Sequence, residues 1–166
     1  MSEFIIKICL LGEAKVGKTT LVYRFIENKF RTDFRSTLGV NLLKKTVKIG
    51  DSTVVTQIWD LGGQEPFKKL RKLYLEGAEG ALLLFDVTNQ QSFTKLGEWI
   101  SSFREVHGDK PVILIGNKID LKENIIIDQS QAERYASENN MSLVLTSAKT
   151  GQNVEKSFVD LLKRII

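Results

Sequence analysis

The chain has 166 residues, of which 42% are hydrophobic and 27% charged, and its formal net charge is +4. These proportions are typical of one folded domain, residues 1–166, and argue against a disordered or membrane-spanning chain. Basic and acidic residues are mixed along the sequence, so we expect a solvated surface and no nucleic-acid partner. The single cysteine, Cys9, lies in an apolar run and cannot form a disulfide within the chain, which suits a reducing compartment.

Apolar runs alternate with helical patterns along the chain and predict an α/β fold with helices on both faces of a mostly parallel, six-stranded sheet. Gly50-Asp51 separates two of the predicted strands and is typical of a hairpin turn, which predicts one antiparallel pair at the sheet edge. The predicted strands are 4–11, 40–49, 53–59, 80–87, 111–116 and 142–146, and the predicted helices lie near 18–28, 92–106, 129–139 and 152–165.

The first predicted strand leads directly into the pattern G-x-x-x-x-G-K-T. Backbone N–H groups of such a loop, together with the N-terminus of the following helix, can surround a phosphate. Lys18 would reach the β- and γ-phosphates, and the Thr19 hydroxyl would bind Mg²⁺. The alternative is a glycine-rich turn that occurs by chance. The predicted nucleotide-binding residues here are Gly12, Glu13, Ala14, Lys15, Val16, Gly17, Lys18, Thr19 and Thr20.

A second pattern, residues 59–65 (Trp-Asp-Leu-Gly-Gly-Gln-Glu), closes the predicted edge hairpin. A carboxylate at this strand end, Asp60, is placed to be a second Mg²⁺ anchor, directly or through water. Gly63 can offer an unobstructed N–H to a γ-phosphate, and the Gln64 amide can orient an attacking water. The alternative is an ordinary turn, since Asp and Gly are common in turns.

A third pattern, Asn117-Lys118-Ile119-Asp120, follows the strand 111–116 and predicts which base the bound nucleotide carries. The Asp120 carboxylate can accept from N1–H and from the exocyclic amino group of guanine, whereas adenine offers neither donor there. Such charge-assisted bonds contribute about 1.5–3 kcal/mol each. Lys118 would lay its aliphatic stem along the base, and Asn117 would brace the neighbouring loops. The alternative is a polar surface turn.

The last predicted strand ends in a fourth element, Thr146-Ser147-Ala148-Lys149. The Ala148 N–H could donate to the O6 acceptor of guanine, a position where adenine carries an amino group. We therefore predict that Ser147, Ala148 and Lys149 also contact the nucleotide.

These four motifs, in this order over nearly the whole chain, resemble those of a Ras-superfamily small GTPase. The flanking residues Arg24-Phe25 and Ser36-Thr37-Leu38-Gly39-Val40 are most similar to the Rab and Ras branches. The resemblance implies that Thr37 binds Mg²⁺ and senses the γ-phosphate, and that Phe30 packs edge-on against guanine. It also implies that effector proteins bind residues 30–40 and 62–76, with an exchange factor and a GTPase-activating protein as further partners.

The sequence departs from the Rab and Ras pattern in two places. Residues 60–64 (Asp-Leu-Gly-Gly-Gln) resemble the Arf branch and heterotrimeric Gα, where Rab and Ras proteins usually have Asp-Thr-Ala-Gly-Gln. Ala14 adds a methyl group to the phosphate loop that could crowd Gln64, which leads to the hypothesis of slow intrinsic hydrolysis. Arg31 or Arg35 could act in cis as an arginine finger, although both could equally be solvated loop charges.

The predicted function is therefore a switch that binds GTP or GDP with Mg²⁺ and hydrolyses GTP, in membrane traffic or signalling. One alternative is a GTP-binding interaction module with little or no hydrolysis. Another is an adenine-specific phosphotransferase, which would leave residues 117–120 unexplained. The predicted location is the cytoplasm, or peripheral at a membrane if a lipid-bearing tail follows residue 166.

Overall fold

The structure, a computed structural model, describes residues 2–29, 40–61 and 74–166. In this part of the chain six strands form one sheet in the order β2-β3-β1-β4-β5-β6, in which β2 runs antiparallel to β3 and every other neighbouring pair is parallel. The predicted hairpin and its antiparallel edge strand are thus confirmed. The strands are β1 (Ser2–Leu11), β2 (Val40–Ile49), β3 (Ser52–Leu61), β4 (Gly80–Asp86), β5 (Val112–Asn117) and β6 (Ser142–Leu145).

The described helices are α1 (Lys18–Glu27), α2 (Gln90–Thr94), α3 (Leu96–His107), α4 (Gln129–Glu138) and α5 (Val154–Ile165). The single helix predicted near 92–106 is wrong in one respect, because the structure divides it into α2 and α3 at Lys95. The Lys95 N–H still donates to the Gln91 carbonyl, but its backbone at φ −84° and ψ −3° lies at the edge of the helical region, and the Glu98 N–H donates to the Lys95 carbonyl only three residues back. The start is earlier than predicted because the Asn89 side chain accepts from the Ser92 N–H and caps α2.

Alternate residues of the central strands face two hydrophobic cores, one on each side of the sheet. In β1, Ile8 and Leu10 belong to the core beneath α1 and α5, whereas Cys9 and Leu11 belong to the core beneath α3 and α4. On the first side Phe25 of α1 stacks on Phe158 of α5, with ring centroids 4.0 Å apart. This alternation explains why the strands read as continuous apolar runs. On the second side the buried helix residues are Leu96, Trp99, Ile100, Phe103, Ala132 and Ala136.

Burial defines the chemistry of the only cysteine. Cys9 is fully buried in β1, and burial raises the pKa of its thiol to about 12, with the nearby Lys7 acting weakly in the opposite direction. A neutral thiol in an apolar core acts as a small hydrophobic side chain. The prediction of a structural role for Cys9 agrees with this placement.

The parallel arrangement brings the carboxyl ends of β1, β3, β4, β5 and β6 to the same edge of the sheet, where ligands of open α/β sheets bind. Each of the four sequence motifs begins at or just after one of these strand ends. In the described residues, no helix combines the length and the apolar character that crossing a membrane requires.

Candidate nucleotide-binding site

The phosphate loop, residues 12–17, connects β1 to α1 and depends on two glycines. Gly12 has φ +142°, and a Cβ there would lie 2.5 Å from the Leu84 carbonyl oxygen. Gly17 has φ +101°, and a Cβ there would collide with the side-chain amide of Asn117. Both positions therefore require glycine for backbone conformation and for space. The loop passes so close to the ends of β4 and β5 that no larger residue fits at either position.

Lys18, the first residue of α1, points back over this loop. Its Nζ donates to the Gly12 carbonyl at 2.7 Å and to the Glu13 carbonyl at 2.9 Å. The side chain is only 6% exposed. An ammonium group in such a protected place interacts strongly with an anion, because little water screens its charge. The position agrees with the predicted role of Lys18 as a phosphate ligand.

The two predicted magnesium anchors of the described chain lie in direct contact. The Thr19 hydroxyl donates to Asp60 Oδ2 at 2.5 Å, although 41 residues separate them in sequence, and Asp60 is fully buried. Mg²⁺ is usually held by one or two hard oxygen ligands of the protein together with phosphate and water oxygens. A hydroxyl beside a buried carboxylate fits that mode. The described ranges contain no group of three or more His, Cys, Asp or Glu side chains that could form an all-protein metal site.

Asn117, at the end of β5, joins three segments of the site. Its Nδ2 donates to the Val16 carbonyl at 2.9 Å, and its Oδ1 accepts from Thr146 Oγ1 at 3.0 Å and from the Ala148 N–H at 3.3 Å. The residue is 1% exposed. The predicted bracing role of Asn117 is thus seen in the geometry. The Ala148 N–H, predicted to donate to guanine O6, donates to Asn117 here.

Asp120 has a fixed carboxylate orientation. The Ser147 hydroxyl donates to Asp120 Oδ1 at 2.8 Å and itself accepts from the Thr150 N–H at 3.1 Å. These two bonds commit the hydroxyl hydrogen to Asp120. The carboxylate is therefore orientated by the loop that follows β6, while the residue remains partly exposed and able to contact a ligand.

Arg24 braces that same loop from α1, which sequence analysis did not anticipate. Its Nε donates to the Ala148 carbonyl at 2.8 Å, and its guanidinium also donates to the Lys149 carbonyl. The two residues lie 124 positions apart, so no local pattern could have indicated the contact. The helix that begins at the phosphate loop thus also positions the backbone of residues 148–149.

A cavity of about 410 Å³ lies between these loops, within the range of small-ligand sites. The cavity brings together the predicted contacts Asp120, Lys118, Ala148 and Lys149, and the predicted residue Thr20 from the first turn of α1. Ser147, predicted as a further contact, is fully buried and does not line it. Leu121 contributes an apolar wall that sequence analysis did not single out. The lining residues are Lys15, Gly17, Thr20, Asn117, Lys118, Asp120, Leu121, Ala148 and Lys149.

Lys118 lines both this cavity and a second one of about 520 Å³, and Lys15 of the phosphate loop is also common to the two. The Lys118 Nζ donates to the Lys15 carbonyl at 2.8 Å and pairs with Asp86 Oδ2 at 3.0 Å. Asp86 was not predicted as a site residue, although an acidic residue that ends an otherwise apolar strand was a usable signal. The second cavity is lined by Glu13, Ala14, Lys15, Val16, Asp86, Asn89, Gln91, Ser92 and Lys118.

Several predicted site residues lie outside the residues that the structure describes. They are Phe30, Arg31, Arg35, Thr37, Gly63 and Gln64. Of the predicted effector-binding ranges, 30–40 and 62–76, only residue 40 and residues 74–76 are described. The roles assigned to these residues remain predictions.

The fold and the site define a class of protein: a P-loop nucleotide-binding domain whose phosphate loop and predicted magnesium and base contacts lie at one edge of the sheet. Residues 7–166 match the sequence profile of the Ras family. The chain therefore belongs to the Ras family.

Several relatives are Rab proteins or similar GTP-binding proteins. The chain is 39% identical to human Ras-related protein Rab-4B over 165 residues, which cover 99% of this chain and 78% of the relative. It is 41% identical to human Ras-related protein Rab-30, and the match covers 99% of this chain and 81% of that relative. It is 36% identical to GTP-binding protein ypt3 of Schizosaccharomyces pombe, and the match covers 98% of this chain and 77% of that relative.

Family membership gives the biochemical activity. The protein is a Rab-like, GTP-binding molecular switch that hydrolyses GTP to GDP, of the kind that acts in membrane traffic. The alternative of a binding module with little hydrolysis is not favoured by these relatives. Members of the family bind GTP or GDP with Mg²⁺, and regulators and effectors act on them.

Proposed function

We propose that the described loops divide recognition of the guanine nucleotide between them. Residues 12–20 enclose the phosphates, with Lys18 against the β- and γ-phosphates. Asp120, orientated by Ser147, accepts two hydrogen bonds from the guanine edge, Lys118 covers one face of the base, and Ala148 and Lys149 close the pocket. The observation that carries this proposal is the bond from Asn117 to the Val16 carbonyl, because it joins the base loop to the phosphate loop.

We propose the following roles in hydrolysis. Thr19, Thr37 and Asp60 would hold Mg²⁺, which when bound neutralises phosphate charge. Gln64 orients the water for in-line attack on the γ-phosphate, Gly63 donates its N–H to a γ-phosphate oxygen, and Lys18 stabilises the negative charge that develops. The contact between Thr19 and Asp60 supports the first of these roles.

We propose that effectors, an exchange factor and a GTPase-activating protein bind to residues 30–40 and 62–76. The γ-phosphate would order both segments, and its release would free them. Phe30 would pack against the guanine edge. We place this switch in the cytoplasm, peripheral at a membrane when a lipid-bearing tail is present, by analogy with its Rab relatives.

The motif at residues 60–64 adds a finer proposal. Asp-Leu-Gly-Gly-Gln resembles the Arf and Gα pattern, whereas the relatives named above are Rab-like. We propose that the chain combines a Rab-like domain with an Arf-like second switch. Either Arg31 or Arg35 could then supply a charge in cis, and Arg35→Ala with unaltered turnover would exclude that role for Arg35.

The direct test of guanine specificity is to denature the purified protein and identify the released nucleotide by chromatography. We expect GDP at close to one per chain, which would agree with guanine binding followed by hydrolysis. Mostly GTP would keep the base assignment and contradict efficient hydrolysis. An adenine nucleotide would contradict the role proposed for Asp120.

Gln64→Leu should slow single-turnover GTP hydrolysis by about 10-fold or more, since the amide that orients the water is lost while the volume is kept. The measurement is phosphate release from preloaded, GTP-bound protein in Mg²⁺. GDP dissociation should stay within twofold of the parent. Equal hydrolysis rates in parent and variant would refute the role of Gln64.

On the hypothesis that the Ala14 methyl group crowds Gln64, Ala14→Gly should raise the same hydrolysis rate by about threefold to tenfold. The second change Gln64→Leu should abolish the gain, which makes the double variant the matched control. An unchanged rate in Ala14→Gly would remove Ala14 as the cause of slow hydrolysis.

A further inference from the structure

The ion pair at the end of β4 points to a positioning residue outside the four motifs. Asp86 is the last residue of β4, is buried, and lies opposite Asn117 in the register with β5. No step of the proposed mechanism uses it. Buried carboxylates are rare unless they are paired and hydrogen-bonded, so its contacts indicate its role.

The turn after β4 fixes the Asp86 carboxylate. Oδ1 accepts from the Thr88 N–H at 2.8 Å and from the Thr88 hydroxyl at 2.6 Å. The Asp86 N–H donates to Ser92 Oγ at 2.9 Å. One carboxylate oxygen is thus held locally, and the other, Oδ2, faces Lys118 from a defined position.

Lys118 connects that position to the phosphate loop. Its Nζ lies 3.0 Å from Asp86 Oδ2 and donates to the Lys15 carbonyl at 2.8 Å. We propose that Asp86 positions Lys118 between the base pocket and the phosphate loop and so prolongs the lifetime of the bound guanine nucleotide. This inference rests on the proposed role of Lys118 at the base.

Lys118 requires such an anchor for two physical reasons. Its backbone lies at φ +74°, an uncommon conformation for a lysine, so contacts that fix the residue help to stabilise it. Its side chain is 33% exposed, so without a fixed anion the flexible stem could turn to solvent. The bond from Lys118 to the Lys15 carbonyl would then be lost, and residues 117–120 would separate more easily from the phosphate loop.

Asp86→Asn should therefore accelerate GDP dissociation by about 10-fold, the scale of one charge-assisted hydrogen bond. The measurement is release of a fluorescent GDP analogue into excess GDP with Mg²⁺ present. The single-turnover hydrolysis rate of bound GTP should change by a smaller factor than GDP dissociation, because Asp86 acts on the phosphate loop only through Lys118. Asp160→Asn, which breaks the exposed pair between Lys156 and Asp160 on α5, should leave dissociation unchanged.

A double-mutant cycle separates positioning of Lys118 from general destabilisation. Lys118→Met keeps the aliphatic stem and removes the ammonium, and should accelerate GDP dissociation by itself. In that background Asp86→Asn should add less than twofold. If Asp86 merely stabilised the fold, the substitution Asp86→Asn would accelerate GDP dissociation by the same factor in the parent and in Lys118→Met.

Three results would overturn the inference: an unchanged GDP lifetime in Asp86→Asn, equal effects in the two backgrounds, or slower dissociation. Slower dissociation would mean that Asp86 acts mainly by repelling the phosphates. If Asp86→Asn does not fold, Thr88→Ala replaces it, with an expected acceleration of about threefold that disappears in Lys118→Met. A Lys118→Met variant that keeps the parent lifetime would contradict the proposed role of Lys118 itself, and thus the proposed function at that residue.

Discussion

Asp120→Asn is expected to weaken GDP binding by about 100-fold or more and to create binding of xanthosine diphosphate. A carboxylate accepts from both N1–H and the amino group of guanine, and two charge-assisted bonds of about 1.5–3 kcal/mol each correspond to at least two decades of affinity. The measurement is the dissociation constant for each nucleotide in direct titration of the nucleotide-free protein.

The geometry around Ser147 explains why xanthine should be preferred by that variant. The Ser147 hydroxyl hydrogen is committed to Oδ1 of residue 120, because the hydroxyl accepts from the Thr150 N–H. An asparagine would therefore keep its oxygen towards Ser147 and present its NH₂ group to the ligand. That group opposes the amino group of guanine but can donate to the carbonyl oxygen that xanthine carries at the same position.

The exposed carboxylate of Asp109 provides the matched control, since Asp109→Asn makes the same chemical change away from both cavities. That variant should bind both nucleotides like the parent. Unchanged GDP affinity in Asp120→Asn, or no gain for xanthosine diphosphate, would contradict the base contact assigned to Asp120.

Much of the site was predictable because its residues follow strand ends directly. Gly12, Asp60 and Asn117 each end or follow an apolar strand, and a parallel sheet brings such positions to one edge. The chemistry of each side chain then follows from its type. A contact such as that between Thr19 and Asp60 can be predicted from the strand order alone, without knowledge of side-chain packing.

The supporting contacts were not predictable because they depend on how separate elements pack. Arg24 is one of several basic residues, and only the position of α1 beside the loop after β6 gives it a role. The acidic end of an apolar strand could have marked Asp86, but its contact with Lys118 follows only from the register of β4 with β5. The division of the predicted helix near 92–106 depends on the backbone conformation of Lys95 and on the Asn89 cap. The spacing of apolar residues, on which the prediction rested, contains no information about either.

Asn117→Ala is expected to lower the free energy of unfolding by about 3 kcal/mol and to accelerate GDP dissociation by about 100-fold. The change leaves three buried groups without their hydrogen-bond partner: the Val16 carbonyl, the Thr146 hydroxyl and the Ala148 N–H. Each such loss costs about 1–3 kcal/mol, partly recovered where water can enter. The measurements are urea unfolding in saturating GDP and release of a fluorescent GDP analogue.

Two further variants show whether the effect of Asn117→Ala arises from joining the loops. Thr146→Val removes only one of the three bonds and should therefore accelerate GDP dissociation by less than 10-fold. Asn124→Ala removes an exposed amide from the turn after β5 and should leave both measurements unchanged. If Asn117→Ala lost stability but kept the parent GDP lifetime, Asn117 would support the fold without coupling the base loop to the phosphate loop. If Asn117→Ala both lowers the free energy of unfolding and shortens the GDP lifetime as expected, nucleotide retention depends on this buried amide. The reason is that the bond from Asn117 to the Val16 carbonyl holds the end of β5 against the phosphate loop.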